Sequence, residues 1–329
     1  MGLSLGMFPE NIMTIPVIDL GQALVPGSPA SAKVAEQIRS AAVATGFFYV
    51  SRHGVPDELL ASQFELTRVL MDLPLATRQA LSVRNSASMR GFEALGEQTL
   101  DETALPDLKE CFYCGMVYPP DHPYVLAGYQ SYGSNQWPAE VPHAAAQCEA
   151  YIQAVLGLSR RLMQLLALSL ALPETYFDET SHSPMVTLRM LRYPPHPAGA
   201  DERTFGAGAH TDWGAVTLLA QDAHGGLEVA LPDGTWVAAP PVPGTFIVNL
   251  GDMMPHWTNG LYRSSLHRVR NTLSNGEPRY SIPFFYEPDY LALIEAVPGT
   301  IAPGEKPLFE PCTAGEHLIQ MYQKTYGLT

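Results

Sequence analysis

The rhythm of hydrophobic and polar positions changes near Pro184. Before it, apolar residues recur with helical spacing from near Ala32, over Asp57 to Asp72, after Leu75, and over Ala144 to Leu172, where Pro173 is positioned as the stop. Two strand patterns interleave, Ile15 to Leu20 and Thr45 to Val50, the second closed by the turn signal His53-Gly-Val-Pro56. From Gly91 to Pro142 the chain is rich in proline, glycine and tyrosine and poor in helical periodicity. After Pro184 a strand pattern runs from Met185 to Tyr193, stopped by Pro194-Pro195. Short β-prone runs follow at Ala215–Ala220, Leu227–Leu231, Trp236–Ala239, Thr245–Leu250, Ser264–Asn271 and Arg279–Phe285. Turn chemistry separates them, including Gly225-Gly226, Pro232-Asp-Gly234 and Asn275-Gly276. Strands at this spacing predict an antiparallel sandwich or barrel. A closing helix is expected over Ala314–Tyr326. The divisions are a mixed α/β region (1–140), a long packing helix with its connector (141–183), a β core (184–290) and a C-terminal extension (291–329). No Pro/Ser linker separates them, so one compact α+β unit with a mainly β core is expected.

Composition narrows the class. Hydrophobic residues make up 46% of the 329 positions and charged residues 16%, against about 25% charged in typical globular chains. Such a chain buries a sizeable core, which excludes global disorder. The net charge, 19 − 33 = −14, argues against nucleic-acid binding and against docking on anionic lipid, both of which need a positive surface. The apolar run Leu165–Leu172 is far short of the roughly 20 residues that cross a bilayer. Met1 to Ile15 has no basic n-region, its first charge being Glu10, so no secretory signal is expected and the location read from sequence is cytoplasmic. Four cysteines are too few for a disulfide scaffold, and Cys111 and Cys114 form a lone C-x-x-C without a second pair, read as two ordinary thiols. Oligomeric state is left open.

Within the β half lies His210-Thr-Asp212. On a strand, residues i and i+2 share a face with Cα atoms roughly 6.6 Å apart, so an imidazole and a carboxylate could reach one metal ion while Thr211 points away. Alone, H-x-D is equally a polar pair on a surface hairpin. His267, in the later β-compatible run Ser264-Ser-Leu-His-Arg-Val269, adds a second histidine. Two histidines and a carboxylate are the ligand set of a facial triad, which leaves positions open for non-haem Fe(II) chemistry. His196, His224 and His256 lack such company and are read as surface or structural. Arg279-Tyr-Ser281 opens another strand, with Arg279 and Ser281 on one face and Ile282 and Phe284 on the other. If the first face lines a pocket, a buried guanidinium there wants an anionic partner, and a carboxylate fits its planar fork. In isolation, an edge-strand arginine in solvent is the simpler reading.

Together these residues resemble the isopenicillin N synthase-like family of Fe(II)/2-oxoglutarate-dependent dioxygenases. The resemblance covers nearly the whole chain: Ile15-Pro-Val-Ile-Asp-Leu20, Gly46-Phe-Phe-Tyr-Val50 with His53-Gly-Val55, Met89-Arg-Gly-Phe92, Asp107-Leu-Lys-Glu110, Leu191-Arg-Tyr-Pro194, Gly225-Gly-Leu227, Asn249-Leu-Gly-Asp252 and Thr258-Asn-Gly260. It implies a double-stranded β-helix (jelly-roll) core and an oxidoreductase that uses Fe(II), 2-oxoglutarate and O2. The products would be succinate, CO2 and a hydroxylated, desaturated or cyclised small molecule. His210, Asp212 and His267 would ligate iron; Arg279 and Ser281 would hold the distal carboxylate of 2-oxoglutarate, with Tyr193 bonding the same end. Members of the family often carry asparagine two residues before that tyrosine. Here it is Leu191, and Arg189 is either a replacement contact or an outward-facing structural residue. The interval from His267 to Arg279 is also slightly long, and Asn275-Gly276 assigns the extra length to a hairpin turn.

Three other readings compete. An oxidase resembling isopenicillin N synthase itself needs no 2-oxoglutarate and binds a substrate thiolate, and Arg-x-Ser occurs there too. A zinc or manganese hydrolase would use the same ligands but need a dedicated base. A silent binding protein would keep the fold alone. The substrate pocket is expected from Met89–Glu97, Tyr113–Tyr118 and the region of Phe285. Arg90 and Lys109 could recognise the carboxylate of an amino-acid-like substrate, or pair with Glu93, Glu97 or Glu110.

Overall fold

The computed structural model of the chain describes residues 15–197, 199–201, 203–270 and 276–326. The reading of the N-terminal segment before Ile15 falls outside them, as does Asn275.

Fourteen strands and seven α-helices, numbered in chain order, are described. Strands β1 (Val17–Asp19), β2 (Phe47–Ser51), β3 (Gly91–Glu93) and β4 (Glu110–Gly115) precede β5 (Met185–Tyr193), β6 (Ala207–His210), β7 (Val216–Gln221), β8 (Leu227–Ala230), β9 (Trp236–Ala238), β10 (Thr245–Leu250), β11 (His267–Val269) and β12 (Arg279–Glu287). A small pair, β13 (Leu293–Ile294) and β14 (Cys312–Thr313), follows. The helices are α1 (Ala30–Ala44), α2 (Asp57–Asp72), α3 (Leu75–Ala80), α4 (Pro123–Leu126), α5 (Ala144–Ser169), α6 (Met253–Trp257) and α7 (Ala314–Tyr326).

An eight-stranded sheet in the order β1-β2-β10-β7-β12-β5-β4-β3 faces a four-stranded sheet in the order β6-β11-β8-β9, forming the double-stranded β-helix. The N-terminal region is thus part of the same architecture, adding β1 and β2 to one edge of the large sheet and β3 and β4 to the other. On the outer face of that sheet, α5 packs with α1 and α2 through Val155, Leu158, Leu162 and Leu166, opposite Ile38, Phe64 and Leu70. On the inner face, period-2 alternation leaves a cavity between the sheets.

Four expectations are corrected. The segment from Gly91 to Pro142 holds β3 and β4. Glu110–Gly115 escaped detection because both its faces are buried, so it shows no polar alternation. The helix expected to reach Leu172 ends at Ser169; Ala171 takes φ 59° and the Leu172 N–H bonds back to Ala167. Such a left-handed turn ends a helix before the proline is reached, and the residue preceding a proline already avoids helix. The run Ser264–Asn271, whose last residue lies outside the described ones, pairs among its described residues over His267–Val269, where a bulge interrupts the ladder to β6. Finally, β11 and β12 lie in different sheets, so the connection containing Gly276 crosses between sheets and is not a hairpin.

The C-x-x-C lies on β4, where residues i and i+3 point to opposite faces. Cys111 faces the inner cluster with Leu191, while Cys114 faces the helices. Both are fully buried; burial raises the Cys111 thiol well above its ordinary value, and a thiol hydrogen bond with Cys148, together with burial, raises Cys114. The pair cannot converge on one metal. Cys111→Ser with Cys114→Ser should therefore leave iron content unchanged but lower the denaturation midpoint, each buried hydroxyl costing roughly 1–3 kcal/mol. Loss of bound metal would show that the ligands are misassigned.

Candidate active site

The alternating inner faces converge on one chamber. Its walls come from Phe47 of β2, Asn249 of β10, Thr217 and Leu219 of β7, Arg279, Ser281 and Phe285 of β12, and Arg189, Leu191 and Tyr193 of β5. The small sheet contributes Ala207 and His210 of β6, Leu227 of β8 and His267 of β11.

At one mouth stand His210, Asp212 and His267, whose donor atoms all lie within 4.8 Å of one another. His210 is the last residue of β6 and pairs across to His267 on β11. Asp212 is not on the strand, as expected from sequence, but in the loop just beyond it. Asp212 Oδ1 is 3.8 Å from His210 Nε2 and 3.7 Å from His267 Nε2. Donors bonded to one ion at about 2.0–2.2 Å stand roughly 3 Å apart at right angles, so this set closes onto an ion with shifts under about 1 Å.

The groups behind the three donors fix their orientation. His210 Nδ1 lies 2.8 Å from the Gly208 carbonyl and His267 Nδ1 3.2 Å from the Ser265 carbonyl. A carbonyl can only accept, so both Nδ1 atoms carry a proton, and both Nε2 atoms, the nitrogens left to meet a metal, face Asp212. Asp212 Oδ2 accepts from Thr217 Oγ1 (2.6 Å) and Asn249 Nδ2 (2.7 Å), which turns Oδ1 toward the imidazoles. Burial opposes ionisation of Asp212, but His267, His210 and those two hydrogen bonds outweigh it and hold the carboxyl below its ordinary value. Burial, with His267 alongside, pushes His210 well below the ordinary imidazole value and keeps it neutral. A neutral imidazole at His210 and an ionised carboxylate at Asp212 are the protonation states a metal requires. Phe47, from the Gly46-Phe-Phe segment, packs edge-on against His267 at 5.4 Å.

Asp107 braces the backbone behind His210. Its Oδ1 accepts from the Gly208 N–H at 2.9 Å and its Oδ2 pairs with Lys109 at 2.6 Å, all buried. The sequence had left Lys109 to recognise a carboxylate or to pair with a nearby glutamate; its partner is Asp107, and it lines the chamber.

At the closed end, Arg279 has no exposed surface. One nitrogen, Nη2, donates to Gln221 Oε1 at 3.0 Å, and the Tyr193 ring lies 4.8 Å from the guanidinium carbon. Nε and Nη1 have no partner among the described residues. Ser281 is buried between Leu191 and Gln221. A buried cation with two idle donors beside a hydroxyl fits an anion with two acceptor oxygens.

Arg189 faces inward, not outward. Its guanidinium lies between the Tyr113 and Phe285 rings, 4.8 and 4.6 Å away, on the side of the chamber away from Arg279. The expected pocket wall is seen in Met89, Arg90, Glu93, Tyr113 and Phe285. Arg90 is engaged by the chain itself, donating to Asn135 Oδ1 (2.8 Å) and the Ser131 carbonyl (2.9 Å). Sequence reasoning missed Glu287 and the α7 residues Leu318 and Tyr322, which also line the mouth. Nothing local marks them, because α7 returns to the barrel from the far end of the chain. His256, read as structural, meets Cys312 and His317 beneath α7, where His317 Nε2 donates to the Trp213 carbonyl at 2.9 Å.

A jelly roll with a His/Asp/His set at its mouth and a half-satisfied buried arginine at its closed end is built as a metal enzyme that takes an anionic cosubstrate. Residues 15–140 match the family described as non-haem dioxygenase in morphine synthesis N-terminal, and residues 182–288 match the 2OG-Fe(II) oxygenase superfamily. The chain is 37% identical to the 2-oxoglutarate-Fe(II) type oxidoreductase hxnY of Emericella nidulans, over 95% of this chain and 90% of that one. It is 34% identical to the homoarginine-6-hydroxylase 2-ODD-C23 of Glycine max, over 94% and 96% respectively. A full-length Neurospora crassa protein, crystallised in complex with alpha-KG and thymine, superposes with a TM-score of 0.85 at 27% identity, covering 97% of this chain and 99% of that one. The chain belongs to the 2OG-Fe(II) oxygenase superfamily. It is an oxidoreductase that uses Fe(II), 2-oxoglutarate and O2 on a small molecule. The 2-oxoglutarate-independent oxidase, the hydrolase and the silent binding protein are not favoured. No helix among the described residues is long and apolar enough to cross a membrane.

Proposed function

We propose that His210, Asp212 and His267 hold the Fe(II), and that Arg279, Ser281 and Tyr193 hold the distal carboxylate of 2-oxoglutarate. The observation carrying this reading is the pair of unpartnered donors on fully buried Arg279, across the chamber from three oriented metal donors. When bound, Fe(II) and 2-oxoglutarate would activate O2, which supplies the oxidising equivalents: two electrons from 2-oxoglutarate, released as succinate and CO2, and two from the substrate that is hydroxylated, desaturated or closed to a ring. The chain's part is positional. Thr217 and Asn249 keep Asp212 ionised and turned, two carbonyls keep the imidazoles in one tautomer, and Arg279 fixes one end of the cosubstrate. Aromatic and apolar walls exclude water, which strengthens each of these contacts. Arg189 lies away from Arg279 and serves the substrate end, where it faces a carboxylate or carbonyl oxygen. Arg90 holds that wall and adds positive potential. Amino-acid-like substrates fit this polarity, and the homoarginine hydroxylase among the relatives and the thymine complex of the Neurospora crassa protein point alike to small nitrogen compounds. The four unpaired cysteines suit a reducing compartment, the cytoplasm. Purified protein given Fe(II), 2-oxoglutarate and O2 should release succinate, faster with a productive substrate, and omitting 2-oxoglutarate should stop turnover. Turnover of a thiol substrate without 2-oxoglutarate would overturn the reading in favour of the oxidase.

A further inference from the structure

The inner face of β12 carries one group that neither the metal nor the cosubstrate uses. Alternation puts Arg279, Ser281, Pro283, Phe285 and Glu287 on one face. Arg279 and Glu287 stand at opposite ends of the strand, about 27 Å apart along it. Glu287 is 7% exposed, and no hydrogen bond or ion pair among the described residues reaches its carboxyl. An unpaired carboxyl in such a place lowers stability, and its retention calls for a bound partner.

The chain reserves the space for it. A Cβ built on Gly214 would lie 2.7 Å from Glu287 Oε1 and 2.8 Å from its Cγ, so only glycine there lets the side chain lie in place. Gly214 follows Asp212 by two residues, which sets the carboxyl beside the metal loop, where substrate must approach. Arg189, stacked between Tyr113 and Phe285, lines the same part of the cavity, with Leu318 and Tyr322 of α7 at its rim. Burial pushes the Glu287 carboxyl up to about 8, Arg189 and Arg90 pulling against the rise and Asp212 adding to it. Protonated or ionised, the carboxyl presents an oxygen that can accept from an N–H.

We propose that Glu287 is the specificity-determining residue of this oxygenase, pairing with an N–H of the substrate whose neighbouring oxygen is held by Arg189. The substrate class is a small nitrogen compound with an N–H beside a carbonyl or carboxylate oxygen. The inference rests on the reading of this cavity as the oxygenase site.

Two matched probe pairs test it: uracil with 1,3-dimethyluracil, and L-leucine with its N,N,N-trimethyl betaine. Binding to the Fe(II)- and 2-oxoglutarate-loaded protein is followed anaerobically through Trp213, which lines the pocket, with succinate release as a second readout in air. In the wild type at least one N–H member should bind ten-fold or more tightly than its methylated counterpart. That preference should fall below about three-fold in Glu287→Leu and persist in part in Glu287→Gln, which keeps a donor and an acceptor. Equal binding within both pairs, or a preference that survives Glu287→Leu, overturns the proposal. Affinity for 2-oxoglutarate, measured in parallel, reports separately on the cosubstrate reading. It should not change in the variants, and a fall would move Glu287 into the cosubstrate site and overturn its role in specificity.

Discussion

Arg279→Gln should weaken 2-oxoglutarate binding by two to three orders of magnitude or more while leaving Fe(II) binding intact. The guanidinium is fully buried and, among the described residues, spends only Nη2 in a hydrogen bond, to Gln221. Nε and Nη1 remain for a carboxylate. Removing one partner of a buried charge pair costs about 3–5 kcal/mol, because the other charge is left unmatched. At about 1.4 kcal/mol per decade this gives the stated loss. Arg279→Lys should restore only part of the affinity, since an ammonium is a point charge and cannot reproduce the planar fork. Titrating 2-oxoglutarate into Fe(II)-loaded protein with succinate as readout measures both variants. Unchanged apparent affinity in Arg279→Gln would remove this residue from the cosubstrate site.

His210→Ala and His267→Ala should each abolish Fe(II) binding and turnover and still give folded protein. The two imidazoles present Nε2 to Asp212 at 3.8 and 3.7 Å, each backed by a backbone carbonyl at Nδ1. They line a chamber, so their removal opens space beside an existing cavity without breaking up the main core, where Leu162, Leu166 and Phe284 have essentially no exposed surface. With one imidazole gone, two donors remain and the facial set is broken. Metal content after anaerobic reconstitution, with circular dichroism to establish folding, is the measurement. Full iron occupancy in both variants would dismiss this ligand set.

Much of the site was legible because its residues sit in short, ordered segments. His210-Thr-Asp212, His267 and Arg279-Tyr-Ser281 stand out by residue type and spacing alone, and the period-2 pattern of β12 correctly separated Arg279 and Ser281 from Ile282 and Phe284. The position of Asp212 beyond the end of β6 was not legible, since a dipeptide step in a loop reads like one on a strand. Glu110–Gly115 was missed because helices cover one of its faces and the chamber the other. Lys109 and Arg90 were ambiguous for another reason. A charged side chain can reach several partners along the chain, and only packing chose Asp107 for the first and Asn135 and Ser131 for the second.

The sequence by itself determined the strand-forming alternation, the candidate donor types and their order, and hence the fold and the family of chemistry, because side-chain period and donor chemistry are local properties. Only the tertiary structure decided which distant elements share the chamber. It set β3 and β4 beside β5, turned Arg189 inward between Tyr113 and Phe285, brought α7 over the mouth, and left Glu287 buried against Gly214 with no hydrogen-bond or ion-pair partner among the described residues. These depend on contacts between residues far apart in the chain, and their energies are fixed by packing and burial, which no local pattern encodes.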